Sequence, residues 1–550
     1  MQRSFVLVFI FTMAFSVLPA DVSATTSDAA TSIRVTPPAP KFTDAERQAE
    51  LARRRSAVAA KMSDKSMLVL FSAEPKLYAF DVDYVYRQEN NLYYLTGLKQ
   101  DNATLIITKD GGTVKEILFL PKRVPVREAW EGKMYSRAQA TTTSGLTSII
   151  DASEVPEFFK AVREDGSFAS KDSTVSISGS TRTLYLLLPR TDQDENGKRE
   201  YTREINFSKT GLEQKIENAR PIFDDLRHIK SPYELKMLQH AIDITTEAQM
   251  RSMAMVGRAK MEYEVQAEVE YTFRRRNADF WGYPSIVGCG PNATTLHYVE
   301  SQGEIRKGDL LLMDVGAEYE HYTADVTRTF PVSGKFTKEQ AAIYRIVYDA
   351  QEAVGRATKP GASFADLSRI ASGTIADGLL KLGLITKKEQ VGLWFIHGLG
   401  HWLGMNVHDV GRYGVPLKAG MVFTNEPGIY IREDALDNLP DTPENKAFIQ
   451  NVRPVFEKYK NIGVRIEDDL LVTETGVEWM TKALPRKLED IEGFMARVPK
   501  GMAGGSRRFE PSALTLAMIG PAAYSTANNG TTWRQGYVRL SSNAGAAADH

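Results

Sequence analysis

The first half of the chain alternates one charged, helix-forming segment with short apolar runs that are separated by polar turns. We predict a helix at 43–62 and strands at 67–71, 103–110, 114–120 and 184–189. Apolar runs of about four to eight residues bounded by turn residues are typical of buried strands. Helices and strands that alternate along a chain predict an α/β domain, which we place at residues 43–220.

The pattern changes near residue 222, where long amphipathic helices and antiparallel strand signals begin. Ser231 and Glu234 have the spacing of a capping box, and Pro232 suits the first position of the helix that follows. Long helices are predicted at 232–256, 262–276, 337–357 and 364–382, with strand signals between 283 and 473. We therefore predict a second, α+β domain at residues 222–497.

Both ends of the chain depart from these patterns. Residues 1–24 contain an apolar run after Arg3 and small residues at 22–24, as in a secretory signal peptide. The run is too short for a comfortable membrane span, and an uncleaved anchor is the alternative. A linker rich in Thr, Ser, Ala and Pro is predicted at 25–42, and a disordered tail at 498–550.

Composition and charge exclude several classes of protein. The 550 residues carry a net charge of −1, which argues against nucleic acid or an anionic membrane as a partner. The single cysteine, Cys289, permits no disulfide within the chain, and its apolar surroundings predict a buried, inert thiol. Because export without disulfides fits a bacterial periplasm, we expect a periplasmic or secreted protein without stable membrane insertion.

Two aspartates lie on neighbouring predicted strands. Asp314 belongs to the apolar run 310–315, and Asp325 follows eleven residues later within 323–332. A hairpin with its turn at Tyr319-Glu320 would place these carboxylates directly opposite each other, about 5 Å apart at Cα. Such a pair is destabilising unless it shares a proton or binds a cation. Exposure on a strand edge is the alternative, and it suits Asp325 better than Asp314.

Two glutamates have similar settings further along the chain. Glu426 stands between an apolar strand and a Pro-Gly turn. Glu467 follows Arg465 by two residues, so these two side chains share one face of a strand. Each acid alone is a weak signal, because a solvated glutamate at a strand end is the usual explanation.

The stretch HGLGHWLGMNVHDVG, residues 397–411, contains three of the chain's eight histidines. His397 and His401 have the spacing of a zinc helix, but each of three glycines costs a helix there about 1 kcal/mol. We expect a strand with a loop, which would place the two about 13 Å apart, so that only one binds a given ion. Four carboxylates and one imidazole favour Mn²⁺, with Zn²⁺ or Co²⁺ as alternatives, and would balance two divalent ions.

These motifs together resemble the Xaa-Pro aminopeptidase (aminopeptidase P) family of metallopeptidases. In the second domain the matching stretches are YPSIVGCGPNATTLHY (283–298), the Asp-x₁₀-Asp hairpin, HGLGHWLG with VHDVG, TNEPGIYI and GVRIEDD. Towards the N-terminus they are YRQENNLYYLTG (86–97), REAWEG (127–132) and LRHIKSPYEL (226–235). The resemblance covers residues 45–497. It implies an α/β N-terminal domain, a pita-bread catalytic domain with a curved antiparallel sheet, and a homo-oligomer, either a dimer or a tetramer.

Residue by residue, the resemblance implies how a two-metal site would be built. The five metal ligands would be Asp314, Asp325, His401, Glu426 and Glu467. The catalytic residues would be His297, His408, Glu426 and Arg465. The residues lining the substrate site would be His397, Tyr430, Asp81 and Trp130, the last from a neighbouring subunit.

The reaction implied by the resemblance is hydrolysis of the N-terminal Xaa-Pro bond in peptides with proline at the second position. A hydroxide bridging two metal ions would attack the scissile carbonyl, and Glu426 would pass a proton to the proline nitrogen. A prolidase, which cuts Xaa-Pro dipeptides only, is the first alternative, because it shares the fold and the ligands. An inactive peptide-binding module of the same fold is the second, and the five retained ligands argue against it.

Overall fold

A mixed six-stranded sheet organises the first domain of the computed structural model, which describes residues 32–177 and 181–498. Its elements, in chain order, are α1 (Asp44–Lys61), β1 (Ser66–Phe71), β2 (Leu77–Ala79), β3 (Val82–Asp83), α2 (Asn90–Thr96), β4 (Thr104–Asp110), β5 (Thr113–Leu120), α3 (Pro125–Glu131), α4 (Arg137–Ser144), β6 (Ile149–Asp151), α5 (Val155–Arg163), β7 (Phe168–Ala169), β8 (Ser176–Ile177), β9 (Thr183–Leu186), α6 (Glu195–Glu200), α7 (Thr202–Ser208) and β10 (Lys215–Asn218). The sheet has the order β10-β9-β1-β4-β5-β6. The predicted charged helix and the four predicted strands are confirmed as α1, β1, β4, β5 and β9.

Long helices and small antiparallel sheets form the second domain. Its elements are α8 (Arg220–His228), α9 (Pro232–Met255), α10 (Glu262–Arg275), β11 (Phe280–Trp281), β12 (Ile286–Cys289), β13 (Leu310–Val315), β14 (Ala317–Tyr319), β15 (Tyr322–Thr323), β16 (Val326–Pro331), α11 (Lys338–Ala357), α12 (Phe364–Leu382), β17 (Val422–Asn425), β18 (Gly428–Ile431), α13 (Pro443–Tyr459), β19 (Ile462–Arg465), β20 (Asp468–Val472), β21 (Val477–Trp479) and α14 (Leu488–Arg497). The four predicted long helices are confirmed, and Ser231 and Glu234 form the predicted capping box of α9.

The hydrophobic core joins the two domains. Met237, Leu238 and Ile242 on the first half of α9 are buried in the same cluster as Leu92 and Leu105 of the first domain. A second cluster fills the space between α11, α12 and the strands of the second domain. The first half of α9 therefore packs against the first domain, and its second half belongs to the core of the second.

The hairpin that carries Asp314 and Asp325 differs in register from our prediction. Its turn is Glu320-His321, and both residues have positive φ, 49° and 67°, as in a two-residue type I′ turn. Asp314 pairs with Thr327, so Asp325 lies diagonally from it on the same face instead of directly opposite. The prediction was wrong because this turn contains no glycine or asparagine, the residues that normally mark type I′ in a sequence.

The glycine-rich stretch at 397–411 is not a zinc helix, and its residues 399–403 run antiparallel beside β17 before a loop. Backbone N–H groups of Glu426, Thr424 and Leu403 donate to the carbonyl oxygens of Leu399, His401 and Val422 at 3.0, 2.9 and 3.1 Å, and Trp402 forms a bridge with Phe423. Gly400 lies against β17, where an added Cβ would come within 2.0 Å of the Thr424 carbonyl oxygen. The glycine therefore permits a close backbone approach that brings His401 beside β17.

The predicted signal peptide and nearly all of the predicted tail lie outside the described residues. In the described part of the linker, Thr36 is buried, and its backbone N–H and hydroxyl each donate to Glu247 of α9 at 2.7 Å. This part of the linker therefore packs on the second domain. Cys289 is buried as predicted, and burial raises the pKa of its thiol to about 12. Among the described helices, none has the length and apolar character needed to span a membrane.

Candidate metal centre

Side chains from four distant segments of the second domain converge on one site. Asp325 follows β15, His401 precedes the bridge to β17, Glu426 follows β17, and Glu467 lies between β19 and β20. Ligand atoms of Asp325, His401 and Glu467 all lie within 4.8 Å of one another. The His401 Nε2 atom lies 3.2 Å from Asp325 Oδ2 and 3.4 Å from Glu426 Oε1. The chain thus places three carboxylates around one imidazole.

Asp314 is connected to this group through Tyr283. The Tyr283 hydroxyl lies 2.5 Å from Asp314 Oδ1 and 2.5 Å from Asp325 Oδ1. Arg465 forms an ion pair with the other oxygen of Asp314. The structure therefore brings all five predicted ligands into one connected cluster.

The carboxylates of this cluster are buried close together. Burial, together with the charge of Asp314, raises the pKa of Asp325 well above its usual value. Burial and the charges of Asp325 and Glu426 do the same to the pKa of Glu467. Burial raises the pKa of Glu426 to about 7, with Asp325 adding to the effect and His401 opposing it. The cation-free site therefore favours protons on its acids, and divalent cations fit the site because they replace those protons.

Asp314 is the exception among the four acids. Its burial favours the neutral carboxyl, but the Arg465 guanidinium and the Tyr283 hydroxyl together outweigh burial and hold its pKa below the usual value. Asp314 is therefore ionised and ready to act as a ligand, and its partner Arg465 is itself buried.

The His401 ring has the orientation of a metal ligand. Its Nδ1 atom lies 3.3 Å from the Trp402 carbonyl oxygen, which can accept a hydrogen bond only if Nδ1 carries the proton. That tautomer leaves the lone pair of Nε2 directed at the carboxylates. The backbone N–H of His401 also donates to the Thr424 hydroxyl at 3.0 Å, which fixes the ring relative to β17.

Buried polar residues hold the strands that carry Glu426 and Glu467. Gln351 of α11 donates to the carbonyl oxygens of Asn425 and Ile466, each at 3.0 Å. These carbonyls belong to the residues immediately before the two glutamates. One side chain on α11 thus ties together the backbones on which both acids stand.

Arg328 and Thr327 of β16 support Glu467 from the other side. Arg328 is fully buried and donates to the Glu467 carbonyl oxygen at 2.7 Å and to Asp468 Oδ1 at 2.6 Å. The Thr327 hydroxyl donates to Glu467 Oε2 at 2.6 Å. Tyr283, Thr327, Arg328 and Gln351 were not predicted from the sequence. An arginine at the centre of the strand VTRTFP (326–331) was an available signal.

Three residues predicted to handle substrate form a chain of contacts beside the carboxylates. The His397 Nε2 atom lies 2.8 Å from the Tyr430 hydroxyl, and Arg465 donates to the same hydroxyl at 2.8 Å. Burial lowers the pKa of His397 to about 4, and the charge of Arg465 adds to this effect. His397 is therefore a neutral imidazole at physiological pH.

The other two predicted histidines lie on the more open side. The ring of His408 lies 4.1 Å from that of His401, measured between centroids. Burial and the neighbouring His401 lower the pKa of His408 to about 4. His297 is exposed on the loop that follows β12, and its charge would lower the pKa of both His397 and His408. His297 is thus close enough to His397 and to His408 to interact electrostatically with each of them.

Asp81 and Trp130 take no part in the contacts described above. Asp81 lies in the turn of the exposed β2–β3 hairpin, and Trp130 of α3 has 83% of its surface exposed. Large apolar side chains on the same hairpin are also exposed, including Phe80 at 94%. The structure therefore leaves both residues on the surface of the first domain.

Each of the two domains matches the model of a known protein family. Residues 236–474 match the model of metallopeptidase family M24, and residues 51–195 match that of the aminopeptidase P N-terminal domain. The Xaa-Pro aminopeptidase of Haemophilus influenzae is 35% identical over 457 residues, which cover 81% of this chain and 97% of that protein. The Escherichia coli Xaa-Pro aminopeptidase is 33% identical over 476 residues, covering 82% and 98%.

Two solved structures of aminopeptidase P also match most of this chain. Aminopeptidase P from E. coli with the inhibitor Pro-Leu is 31% identical, with a TM-score of 0.70, and the match covers 83% of this chain and 99% of that one. Proline aminopeptidase P II from Yersinia pestis gives a TM-score of 0.68 at 31% identity, covering 82% and 99%. With both domains, the fold and most of its length matched, the chain belongs to the Xaa-Pro aminopeptidase family of M24 metallopeptidases.

Proposed function

We propose that this protein removes the N-terminal residue from peptides with proline at the second position, by metal-assisted hydrolysis of the Xaa-Pro bond. The observation that carries this proposal is the cluster of Asp325, His401 and Glu467, whose ligand atoms lie within 4.8 Å of one another. The relatives named Xaa-Pro aminopeptidase match over nearly their full lengths, which favours an aminopeptidase over a prolidase.

Two divalent ions are the expected cofactors. They would be held by Asp314, Asp325, His401, Glu426 and Glu467. A set of four carboxylates and one imidazole suits Mn²⁺, and Zn²⁺ or Co²⁺ are the alternatives. One solved relative is described as a zinc-substituted aminopeptidase P in complex with product. When bound, such ions supply Lewis acidity and lower the pKa of a water molecule.

Glu426 is the residue best suited to move the proton that the reaction requires. Its Oε1 atom lies 3.4 Å from His401 Nε2, which places this carboxylate within the group of residues that would hold the ions and the attacking water. The nitrogen of a Xaa-Pro bond carries no hydrogen and must gain one as it leaves. We infer that Glu426 takes the proton of the attacking water and passes it to the proline nitrogen.

Histidines beside the carboxylates complete the site. His297 and His408 would donate hydrogen bonds to the substrate carbonyl and to the oxyanion that develops there. His397, fixed by Tyr430, and Arg465 would form the wall against which the substrate is positioned. A neutral His397 places no positive charge where the free substrate amine must enter.

We also propose a homo-oligomer, either a dimer or a tetramer. The support is a set of exposed apolar side chains on the surface of the first domain. Tyr78 and Phe80 of the β2–β3 hairpin and Val126 and Trp130 of α3 are 66%, 94%, 71% and 83% exposed. Clusters of exposed apolar side chains are typical of protein interfaces. A second copy on this surface would give Trp130 access to a neighbouring substrate site. Light scattering tests this, and a monomer at every concentration would contradict it.

Export to the periplasm or the medium is a further part of the proposal. It rests on the signal-peptide pattern of residues 1–24 and on the single cysteine. Sequencing the N-terminus of the protein recovered from the host tests it. A mature chain beginning near residue 25 is expected, and an intact Met1 in a cytosolic fraction would contradict export.

A peptide panel tests the proposed reaction. An Xaa-Pro-Xaa tripeptide, the matching Xaa-Pro dipeptide and an Xaa-Ala-Xaa control are each incubated with Mn²⁺ and with a chelator. We expect the tripeptide to lose its first residue only when metal is present, and the alanine control to stay intact. Cleavage of the dipeptide alone would identify a prolidase instead.

A further inference from the structure

The segment 86–97, YRQENNLYYLTG, lies in the first domain but contacts two loops of the metal centre. Its first four residues lead into α2 and most of the others form that helix. None of its residues has a part in the proposed reaction. Its polar side chains Arg87 and Asn90 face the second domain. Each of them bonds both to the hairpin β13–β15 and to the loop that follows His401.

Arg87 makes the first of these double contacts. Its Nε atom donates to Glu318 of the hairpin, 2.9 Å from Oε2, in an ion pair whose carboxylate is buried. The other end of the same guanidinium donates to the Met405 carbonyl oxygen at 2.7 Å. A third hydrogen bond, 3.0 Å long, reaches Asn90 Oδ1. The planar guanidinium thus joins the hairpin, the loop and α2.

Asn90 makes the second double contact. Its Nδ2 donates to Asn406 Oδ1 of the loop at 2.8 Å, and its Oδ1 lies 3.2 Å from Nδ1 of His321 at the hairpin turn. Tyr93, one turn further along α2, stacks on the His321 ring at 3.8 Å and donates its hydroxyl to Glu320. The two turn residues with positive φ are therefore held by the first domain.

The hairpin and the loop lead directly to predicted ligands. The hairpin continues through Thr323 to Asp325, and the loop runs from His401 to His408. The two segments also touch each other, since the Thr323 N–H donates to the Gly404 carbonyl oxygen at 2.9 Å. Arg87 and Asn90 lie across this junction and hold both sides of it.

We infer that Arg87 and Asn90 are positioning residues of the metal centre, through which the first domain sets the placement of Asp325 relative to His401. This inference rests on the proposed metal-dependent function. Loss of either side chain frees the hairpin and the loop to shift against each other, so the two ligands no longer meet one ion at the favoured distance. Residues that orient metal ligands typically contribute about 10- to 100-fold in metal affinity.

Calorimetric titration of the metal-free full chain with Mn²⁺ tests the inference. Arg87→Ala and Asn90→Ala are each expected to raise the dissociation constant by about tenfold, the lower end of that range. Arg137→Ala is the matched control, because it removes an exposed arginine of the first domain that pairs with Asp172 at 2.7 Å. Its dissociation constant is expected to equal that of the wild type.

Arg87→Lys separates positioning from simple attachment of the domains. Lysine keeps one positive charge for Glu318, but a single ammonium does not reproduce the planar fork that also reaches Met405 and Asn90. We expect weakened Mn²⁺ binding and an altered Co²⁺ absorption spectrum in this variant. Full rescue of affinity by lysine would show that charge pairing alone matters, and would overturn the positioning role.

The same titrations distinguish a failure of the positioning role from a failure of the proposed function. A wild-type chain that binds no Mn²⁺ would contradict the metal centre itself. Normal wild-type binding with unchanged affinity in both alanine variants would overturn the positioning role alone. Circular dichroism establishes that each variant is folded, and Asn90→Ala and Arg87→Lys carry the test if Arg87→Ala does not fold.

Discussion

His397 and His401 lie four residues apart in one glycine-rich stretch, yet their surroundings assign them different chemistry. His401 directs Nε2 at the carboxylates of Asp325 and Glu426, whereas His397 directs Nε2 at the Tyr430 hydroxyl. His401→Ala is therefore expected to lose at least one bound ion per chain. His397→Ala should keep both ions and show a lower kcat/KM. Elemental analysis of the two purified variants measures this, and equal metal loss would contradict the assignment.

Tyr283 contributes to the ionisation of Asp314. Its single hydroxyl proton, donated to Asp314, helps Arg465 to hold the pKa of that carboxyl below the usual value, so its removal raises that pKa. A higher pKa means stronger competition between protons and metal. In Tyr283→Phe, half-maximal Mn²⁺ binding should therefore move to higher pH. Titrations at several pH values measure the midpoint, and an unchanged or lower midpoint would argue against this role.

The sequence allowed the metal-binding acids to be predicted, but not the residues that support them. Acids inside apolar runs, such as Asp314, stand out in a sequence because burial of an unpaired charge is costly. Tyr283 and Gln351 gave no comparable signal. Tyrosine and glutamine are common in any fold, and their importance arises only from the distant oxygens that they reach.

At the scale of elements, Gly400 shows how the chain accommodates a ligand beside a strand. A methyl group at this position would lie 2.0 Å from the Thr424 carbonyl oxygen, whereas one at Gly398 would meet nothing within 4 Å. Gly400→Ala is expected to lower the free energy of unfolding by about 1–3 kcal/mol through overpacking. Gly398→Ala, the matched control, should stay within about 0.5 kcal/mol of the wild type. Urea denaturation compares them, and equal effects would contradict the close approach.

The elements themselves were largely predictable, and their register was not. Helices such as α9 and α11 have long periodic patterns and capping residues, which are local properties of the sequence. The Glu320-His321 turn has no such local signal, because Asn90 and Tyr93 of another domain hold it in place. Register in this hairpin is therefore fixed by tertiary contact, which a single sequence does not reveal.

At the scale of the whole molecule, stability should depend on metal and pH together. Burial raises the pKa of Glu426 from 4.5 to about 7 in the folded, metal-free chain. The folded state then binds more protons than the unfolded state in this range, so this group's contribution to stability is present at low pH and is lost as pH rises through 7. Bound cations remove that loss.

The increase in Tm on adding Mn²⁺ is therefore expected to grow as pH rises from about 5 to about 8, across the interval set by the shifted pKa of Glu426. Histidines with a lowered pKa, such as His397 and His408, change stability with pH in the opposite direction. Comparing the Tm of metal-loaded and metal-free protein at each pH cancels their contribution. Differential scanning calorimetry measures the difference. A metal-dependent shift that stays constant or falls with pH would contradict the cluster's proton–metal exchange.

If the proposed function is right, Asp314, Asp325, His401, Glu426 and Glu467 hold two metal ions that are needed to cleave Xaa-Pro bonds. The most direct measurement titrates Mn²⁺ into metal-free protein while following release of the first residue from an Xaa-Pro-Xaa tripeptide. We expect no cleavage without metal, full activity at two ions per chain, and at most residual activity in His401→Ala. Full activity in the metal-free protein, or none with two ions bound, would contradict it.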